Sequence, residues 1–199
     1  MYLYRNAISG HCHRVELLLS ILGVAYQPVE VDLRAGAHKL PEFLAMNPFG
    51  QIPVLKDGDI VLADSNAILV YLAGKYDASS QWLPNDPVSA ARVQRWLSVA
   101  AGPLAYGPAA SRRICLLKTP QDLPTAQNVA TGLLRVLDTV LATDTYLAGE
   151  SPTIADLAMY AYTARAPEGQ IDLVPYSHVS AWLRRVEALP GFVPMLRSQ

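Results

Sequence analysis

Between Ser9 and Arg14 the chain places a hydroxyl, a thiol and two imidazoles side by side, in the order Ser9-Gly10-His11-Cys12-His13-Arg14. The residues after them recur at helical spacing, so the segment opens a helix. A helix start carries unpaired N–H groups and positive potential, and it favours an anion. Ser9 can donate its hydroxyl to such an anion, and His11, which titrates near neutrality, is a second donor. Ser9 and Cys12 also occupy the two positions of a Cys-x-x-Cys redox pair whose first cysteine is replaced, which rules out an internal disulfide. Cys12 is then either a thiol for mixed disulfides or a small apolar packing residue. A second helix start, Asp64-Ser65, offers N–H groups and a hydroxyl to a carboxylate. The same two residues also read as an ordinary N-cap, and the two roles are compatible. Pro53 opens a strand with no N–H to give.

Composition narrows what these groups can serve. The 199 residues are enough for one large domain or two small ones, and a hydrophobic fraction of 51% supplies a core. Sixteen basic and seventeen acidic side chains leave a formal net charge of -1, so no global field favours nucleic acid or an anionic membrane. No apolar run reaches the roughly 18 residues of a membrane span, and the start of the chain lacks a secretory layout, so a cytoplasmic location is expected. The two cysteines, Cys12 and Cys115, are too few for a disulfide framework or a cysteine-rich zinc site. No metal site is expected.

The elements that must position the chemistry differ between the two halves. Tyr2-Leu3-Tyr4 reads as a strand. Val15, Leu18, Leu19 and Leu22 read as a helix closed by Gly23. Val29, Val31 and Leu33 alternate with Glu30 and Asp32 as in a strand with one buried face. After a helical segment at residues 42–46, Pro53-Val54-Leu55 and Ile60-Val61-Leu62 flank Asp57-Gly58, a hairpin turn signal. A helix from Ser65 to Tyr76 closes this half. Leu83-Pro84-Asn85-Asp86-Pro87 reads as a linker, and beyond it only helical patterns appear. One carries Val93, Trp96, Leu97 and Ala100. Another carries Val129, Leu133, Val136, Leu137 and Val140, and a third Val179, Trp182, Leu183 and Val186. Thr153 and Asp156 form a capping box for a helix over residues 157–162. The fold class expected is a thioredoxin-like α/β domain, βαβαββα with a mixed four-stranded sheet, over residues 1–77. A linker at 78–87 joins it to an all-α helical bundle over 88–199.

This layout, with the words His38-Lys39, Pro41-Glu42-Phe43, Asn47-Pro48, Gly50-Gln51-Ile52-Pro53-Val54-Leu55 and Asp64-Ser65, resembles the cytosolic glutathione transferases over essentially the whole chain. Thr153-Ile154-Ala155-Asp156 and Ala188-Leu189-Pro190-Gly191-Phe192 are similar to that family's C-terminal half. The serine- or cysteine-type members, as found in bacteria, are the better match, because the first loop has no tyrosine.

The resemblance implies a cis bond before Pro53, with the Ile52 backbone pairing with the cysteinyl part of glutathione. It implies that Ser65 and its helix start hold the γ-glutamyl carboxylate while Asp64 attracts the α-amino group. His38, Gln51 and Lys39 would face the glycyl carboxylate, although position 51 is often basic in relatives. Ser9, with His11 and Cys12 as the other candidates, would stabilise the thiolate. Tyr106, Arg112 and Arg113, on the first long helix of the helical half, would line a site for a small hydrophobic electrophile, the arginines having a dimer interface or a solvated face as their alternative. No tightly bound cofactor is implied, only reduced glutathione as co-substrate, and the family usually forms homodimers. A glutathione-dependent disulfide reductase or peroxidase, or a non-catalytic binding protein, would use the same layout.

Overall fold

The computed structural model describes residues 1–197. Its elements run β1 (Tyr2–Arg5), α1 (Gly10–Ile21), β2 (Gln27–Glu30), α2 (Pro41–Met46), β3 (Val54–Asp57), β4 (Ile60–Ala63), α3 (Ser65–Tyr76), α4 (Pro87–Val99), α5 (Pro108–Leu117), α6 (Leu123–Leu141), α7 (Ile154–Ala164) and α8 (Ser177–Glu187). The sheet order is β2-β1-β3-β4, with β1 and β2 parallel and the other pairs antiparallel. This is the expected mixed four-stranded sheet followed by helices. Among the described residues the second half holds no strand beyond an isolated bridge between Tyr146 and Gly149. Among the described residues no helix is long and apolar enough to cross a membrane.

Helix α1 is buried on nearly all sides: Cys12, Val15, Leu17, Leu18 and Leu19 are fully enclosed. It packs against α3 in its own half and α7 in the other, so one hydrophobic core runs through both halves, from Leu3 and Leu55 to Trp96, Tyr160 and Trp182. The Pro-rich segment between the halves joins this core. Trp82 is buried, its N–H donates to Asp77 Oδ2 (2.8 Å), and its carbonyl accepts the Ile154 N–H (3.0 Å).

Four expectations need correction. The second strand stops at Glu30 and does not run to Leu33, because Asp32 Oδ1 accepts the N–H groups of Arg34 and Ala35 and folds the chain into a turn. The hairpin loop is Gly58-Asp59, since Asp57 pairs with Ile60, and Gly58 takes the left-handed conformation (φ 61°). The first helical run does not continue as one long helix to Arg113. A π-turn at Ala100–Leu104 contains Pro103, and α5 starts afresh at Pro108. Helix α6 turns Ala126, Ala130, Leu133, Leu134, Leu137 and Leu141 inward, leaving Val129 and Val136 exposed. The inward set is itself spaced as one helical stripe, and it approaches the preceding turn closely: a Cβ at Gly107 would lie 2.7 Å from the Ala130 nitrogen, so glycine is required at that crossing.

Candidate functional site

Three loops meet at one end of the sheet. Tyr4 pairs with Val54, and Val54 pairs with Ala63. The register therefore brings the residues after β1, before β3 and after β4 side by side, which are Ser9 and its neighbours, Gln51-Ile52-Pro53, and Asp64-Ser65.

Ser9 is the N-cap of α1, with extended backbone (φ -85°, ψ 118°). Its Oγ accepts the Cys12 N–H at 3.3 Å, so its own proton remains to be donated. The preceding turn is held from two sides. Asn6 Oδ1 accepts the Ile8 N–H (3.3 Å), and Arg112 Nη1 donates to the Ile8 carbonyl (2.8 Å). Arg112 is itself buried and paired through Nε with Glu168 Oε2 at 2.7 Å. Gly10 is required here, since a Cβ would stand 2.8 Å from the ring of Tyr162 on α7.

The other two candidates in this loop have different surroundings. The His11 ring sits edge-on to Tyr162, centroids 4.9 Å apart, with Nδ1 3.5 Å from Ser65 Oγ. Burial, then the positive charges of Arg14 and Arg113, push its pKa down to about 3, so His11 is neutral at physiological pH. Cys12 is fully buried, and that burial pushes its thiol up to about 11 despite the hydrogen bond with Ser9. A thiol in that setting stays protonated and out of contact with solutes.

The second loop presents backbone. The Ile52–Pro53 bond is cis. Asn47, buried, donates to the Gln51 carbonyl at 2.8 Å and accepts the Phe49 N–H at 3.2 Å. Lys39 Nζ donates to the carbonyls of Phe49 and Gly50, each at 3.2 Å, which leaves one of its three protons for another acceptor. Gly50 is left-handed (φ 58°), and a Cβ there would lie 2.8 Å from the His38 carbonyl oxygen. His38 thus packs against the base of this loop from a short 3-10 turn, Ala37–Lys39, while the Gln51 side chain is exposed.

The third loop is a helix start under backbone strain. Asp64 has φ 70° and ψ 124°, outside the conformations a non-glycine residue prefers, and its Oδ1 caps the N–H groups of Asn66 (2.8 Å) and Ala67 (3.0 Å). Ser65 follows, buried, its Oγ accepting from Arg14 Nη1 at 3.2 Å.

The structure brings Ser9, His11, Ile52, Pro53, Asp64 and Ser65 to one place and sets His38, Lys39 and Gln51 along its rim. Tyr106 is 71% exposed, and Arg113 is exposed with Nη2 on Gln121 Oε1 (3.1 Å). Arg112 differs from both, being enclosed by the Ile8 carbonyl and Glu168. Sequence reasoning missed Asn47, Asn66 and Arg14. Arg14 carried a signal: it falls three and four residues before Leu17 and Leu18, on the buried face of an apolar helix. Two open surface grooves, of about 320 and 280 Å³, lie between α4 and the segment around Ala148 and contain none of these residues, so chemistry, not enclosure, marks the site.

Residues 1–74 match the family model for the glutathione S-transferase N-terminal domain, and residues 101–190 match that for its C-terminal domain. The chain is 38% identical to glutathione S-transferase 3 of Zea mays, over 96% of this chain and 90% of that one. Its structure is similar to that of a glutathione S-transferase from Pseudomonas fluorescens, with a TM-score of 0.93, 36% identity and 98% of each chain covered. A glutathione transferase homologue from Drosophila mojavensis, solved with bound glutathione, superposes with a TM-score of 0.85 at 29% identity, over 95% of this chain and 88% of that one.

Proposed function

The chain belongs to the glutathione S-transferase family, and from that premise we propose that Ser9 stabilises the thiolate of bound glutathione, which then attacks a small hydrophobic electrophile. The observation that carries this reading is the state of the Ser9 hydroxyl. One lone pair is committed to the Cys12 N–H, and the O–H, whose neighbour within the loop is the protonated Cys12 thiol, a weak acceptor that a glutathione thiolate would outcompete, is a donor at the positive end of α1. A thiol is mostly protonated at neutral pH, and a donor in that position lowers its pKa and raises the population of the nucleophile. Proximity of the bound electrophile supplies the rest of the rate enhancement.

Glutathione lies across the three loops. The Ile52 backbone beside Pro53 pairs with the cysteinyl unit, and Ser65 at the α3 start takes the γ-glutamyl carboxylate with Asp64 near the amino group. Gln51, His38 and the remaining proton of Lys39 face the glycyl carboxylate. Tyr106 and Arg113 border the electrophile side, contributed by the helical half from residue 88 onward, and Arg112 anchors the loop behind them. Glutathione is the co-substrate, and no tightly bound cofactor is assigned. The family typically forms homodimers, and we assign the same state, with a cytoplasmic location, to this chain.

Reduction of disulfides or hydroperoxides by glutathione itself would use the same thiolate. A version that employs Cys12 requires an accessible thiolate, which its burial opposes.

The deciding measurement is the pH dependence of conjugation for the wild type and for Ser9→Ala. Loss of a single donor to a developing or resting anion costs roughly 100- to 1,000-fold in rate. The variant is expected to fall in that range, with the apparent thiol pKa moved toward that of free glutathione. An unchanged rate and pKa would remove Ser9 from the mechanism.

A further inference from the structure

Arg14 is 1% exposed and stands on the inner face of α1, yet among the described residues no carboxylate lies within ion-pair distance of it. Its Nη1 donates to Ser65 Oγ (3.2 Å) and Asn66 Oδ1 (2.8 Å), both neutral acceptors, and its Nε and Nη2 have no partner. Asn66 is fixed in turn by its own donation to the Leu97 carbonyl at 3.1 Å. A buried cation without a counter-ion is costly, since buried charges are as a rule paired, and a negative group arriving with a ligand would relieve that cost. Asp64 acts on Arg14 only from a distance, and its Oδ1 is committed to capping α3.

We infer that Arg14 is a positioning residue that, acting through Ser65, supplies the buried counter-charge for the γ-glutamyl carboxylate of glutathione. This rests on the glutathione-binding reading above and adds to it a side chain that does not itself reach the ligand. Hydrogen-bond polarity gives the mechanism. Because Arg14 occupies a lone pair of Ser65 Oγ, the Ser65 proton must point away from it. Within the chain the acceptor in reach is His11 Nδ1 at 3.5 Å, a long and weak contact. A carboxylate at the start of α3 offers that proton a stronger acceptor and brings the missing negative charge beside Arg14 and the helix N-terminus together. Arg14 therefore favours the carboxylate-bound state over the protein alone.

The test compares two ligands, glutathione and 4-aminobutyryl-cysteinyl-glycine, the same peptide without the α-carboxylate of its first unit. Calorimetric binding is measured for the full chain as wild type, Arg14→Met and Arg14→Lys. Arg14→Met is expected to weaken glutathione roughly ten- to hundredfold, the range of a charge-assisted hydrogen bond, and to leave the analogue within about twofold. Arg14→Lys, which keeps the charge without the fork, should recover part of the loss. The ligand-free Arg14→Met protein should unfold at the same or a higher temperature than wild type. Equal losses for both ligands, or no loss for either, overturn the assignment. If Arg14→Met does not fold, the same comparison of ligands is made with Arg14→Gln and Arg14→Lys. A wild-type protein that binds neither ligand would instead overturn the glutathione reading on which the inference stands.

Discussion

Arg112 on α5 holds the carbonyl of Ile8 at 2.8 Å, so a residue of the helical half fixes the backbone next to Ser9, 104 positions away in the chain. Glu168, paired with Arg112 at 2.7 Å and with Arg165 at 3.6 Å, keeps the guanidinium in place. The thiol loop is thus set by packing between the halves as well as by its own helix.

Replacing Glu168 by Ala removes the carboxylate paired with Arg112 and Arg165, the first of them buried. Loss of one member of a buried pair costs about 3–5 kcal/mol, which sets an upper bound for this partly accessible carboxylate. We expect a lowered melting temperature together with a reduced turnover number at saturating glutathione. Thermal unfolding and steady-state kinetics on the same preparation check both. A variant with native stability and native turnover would show that the clamp does not hold the loop.

Gly10→Ala tests the contact between α1 and α7. The new Cβ would fall 2.8 Å from the Tyr162 ring, so α1 or the ring must move, at a cost of about 1–3 kcal/mol. The double variant Gly10→Ala/Tyr162→Leu should regain part of that stability. Denaturant titration of the two single variants and the double variant gives the coupling directly, and additive losses would contradict the close approach.

Cys12 and Cys115 should react differently. Cys12 is fully buried with its thiol raised to about 11, whereas Cys115 is half-buried. A thiol reagent applied to the native protein is expected to modify Cys115 alone, and Cys12→Ala should keep conjugation within about threefold of wild type. Mass mapping of the labelled peptides decides the first point and an activity assay the second.

His13 makes stability depend on pH. Burial, opposed by its hydrogen bond to the Val193 carbonyl at 2.8 Å, leaves its pKa near 4, against 6.5 when free. Between those values the unfolded chain binds a proton that the folded chain does not, so stability falls as pH drops from about 6.5 toward 4. His11, depressed in the same direction to about 3, adds to the same trend and extends it to lower pH. A tenfold change in proton affinity is worth about 1.4 kcal/mol, so His13→Gln should flatten the acid limb by up to about 3 kcal/mol. Urea unfolding at pH 7, 5.5 and 4.5 measures the slope, and an unchanged slope would mean that His13 is solvated in the folded state.

The sequence by itself determined what is local. Helix and strand periods, the Thr153–Asp156 capping box, the presence of a hairpin around Gly58, though shifted one residue from the Asp57-Gly58 expected, and the helix starts at Ser9 and Asp64-Ser65 depend on residues within a few positions of one another, and spacing records them. The words around Gln51-Ile52-Pro53 were enough to point to the family. Only the tertiary structure decided which side chains complete the site and which leave it. Arg14 meets Ser65 and Asn66 across 51 and 52 positions, and Arg112 meets Ile8 across 104, separations at which no local pattern links a donor to its acceptor. Cys12 is the clearest case. Spacing placed it in a redox-like pair with Ser9, but whether a thiol is a nucleophile or part of the core depends on what packs over it, and here the two halves enclose it completely.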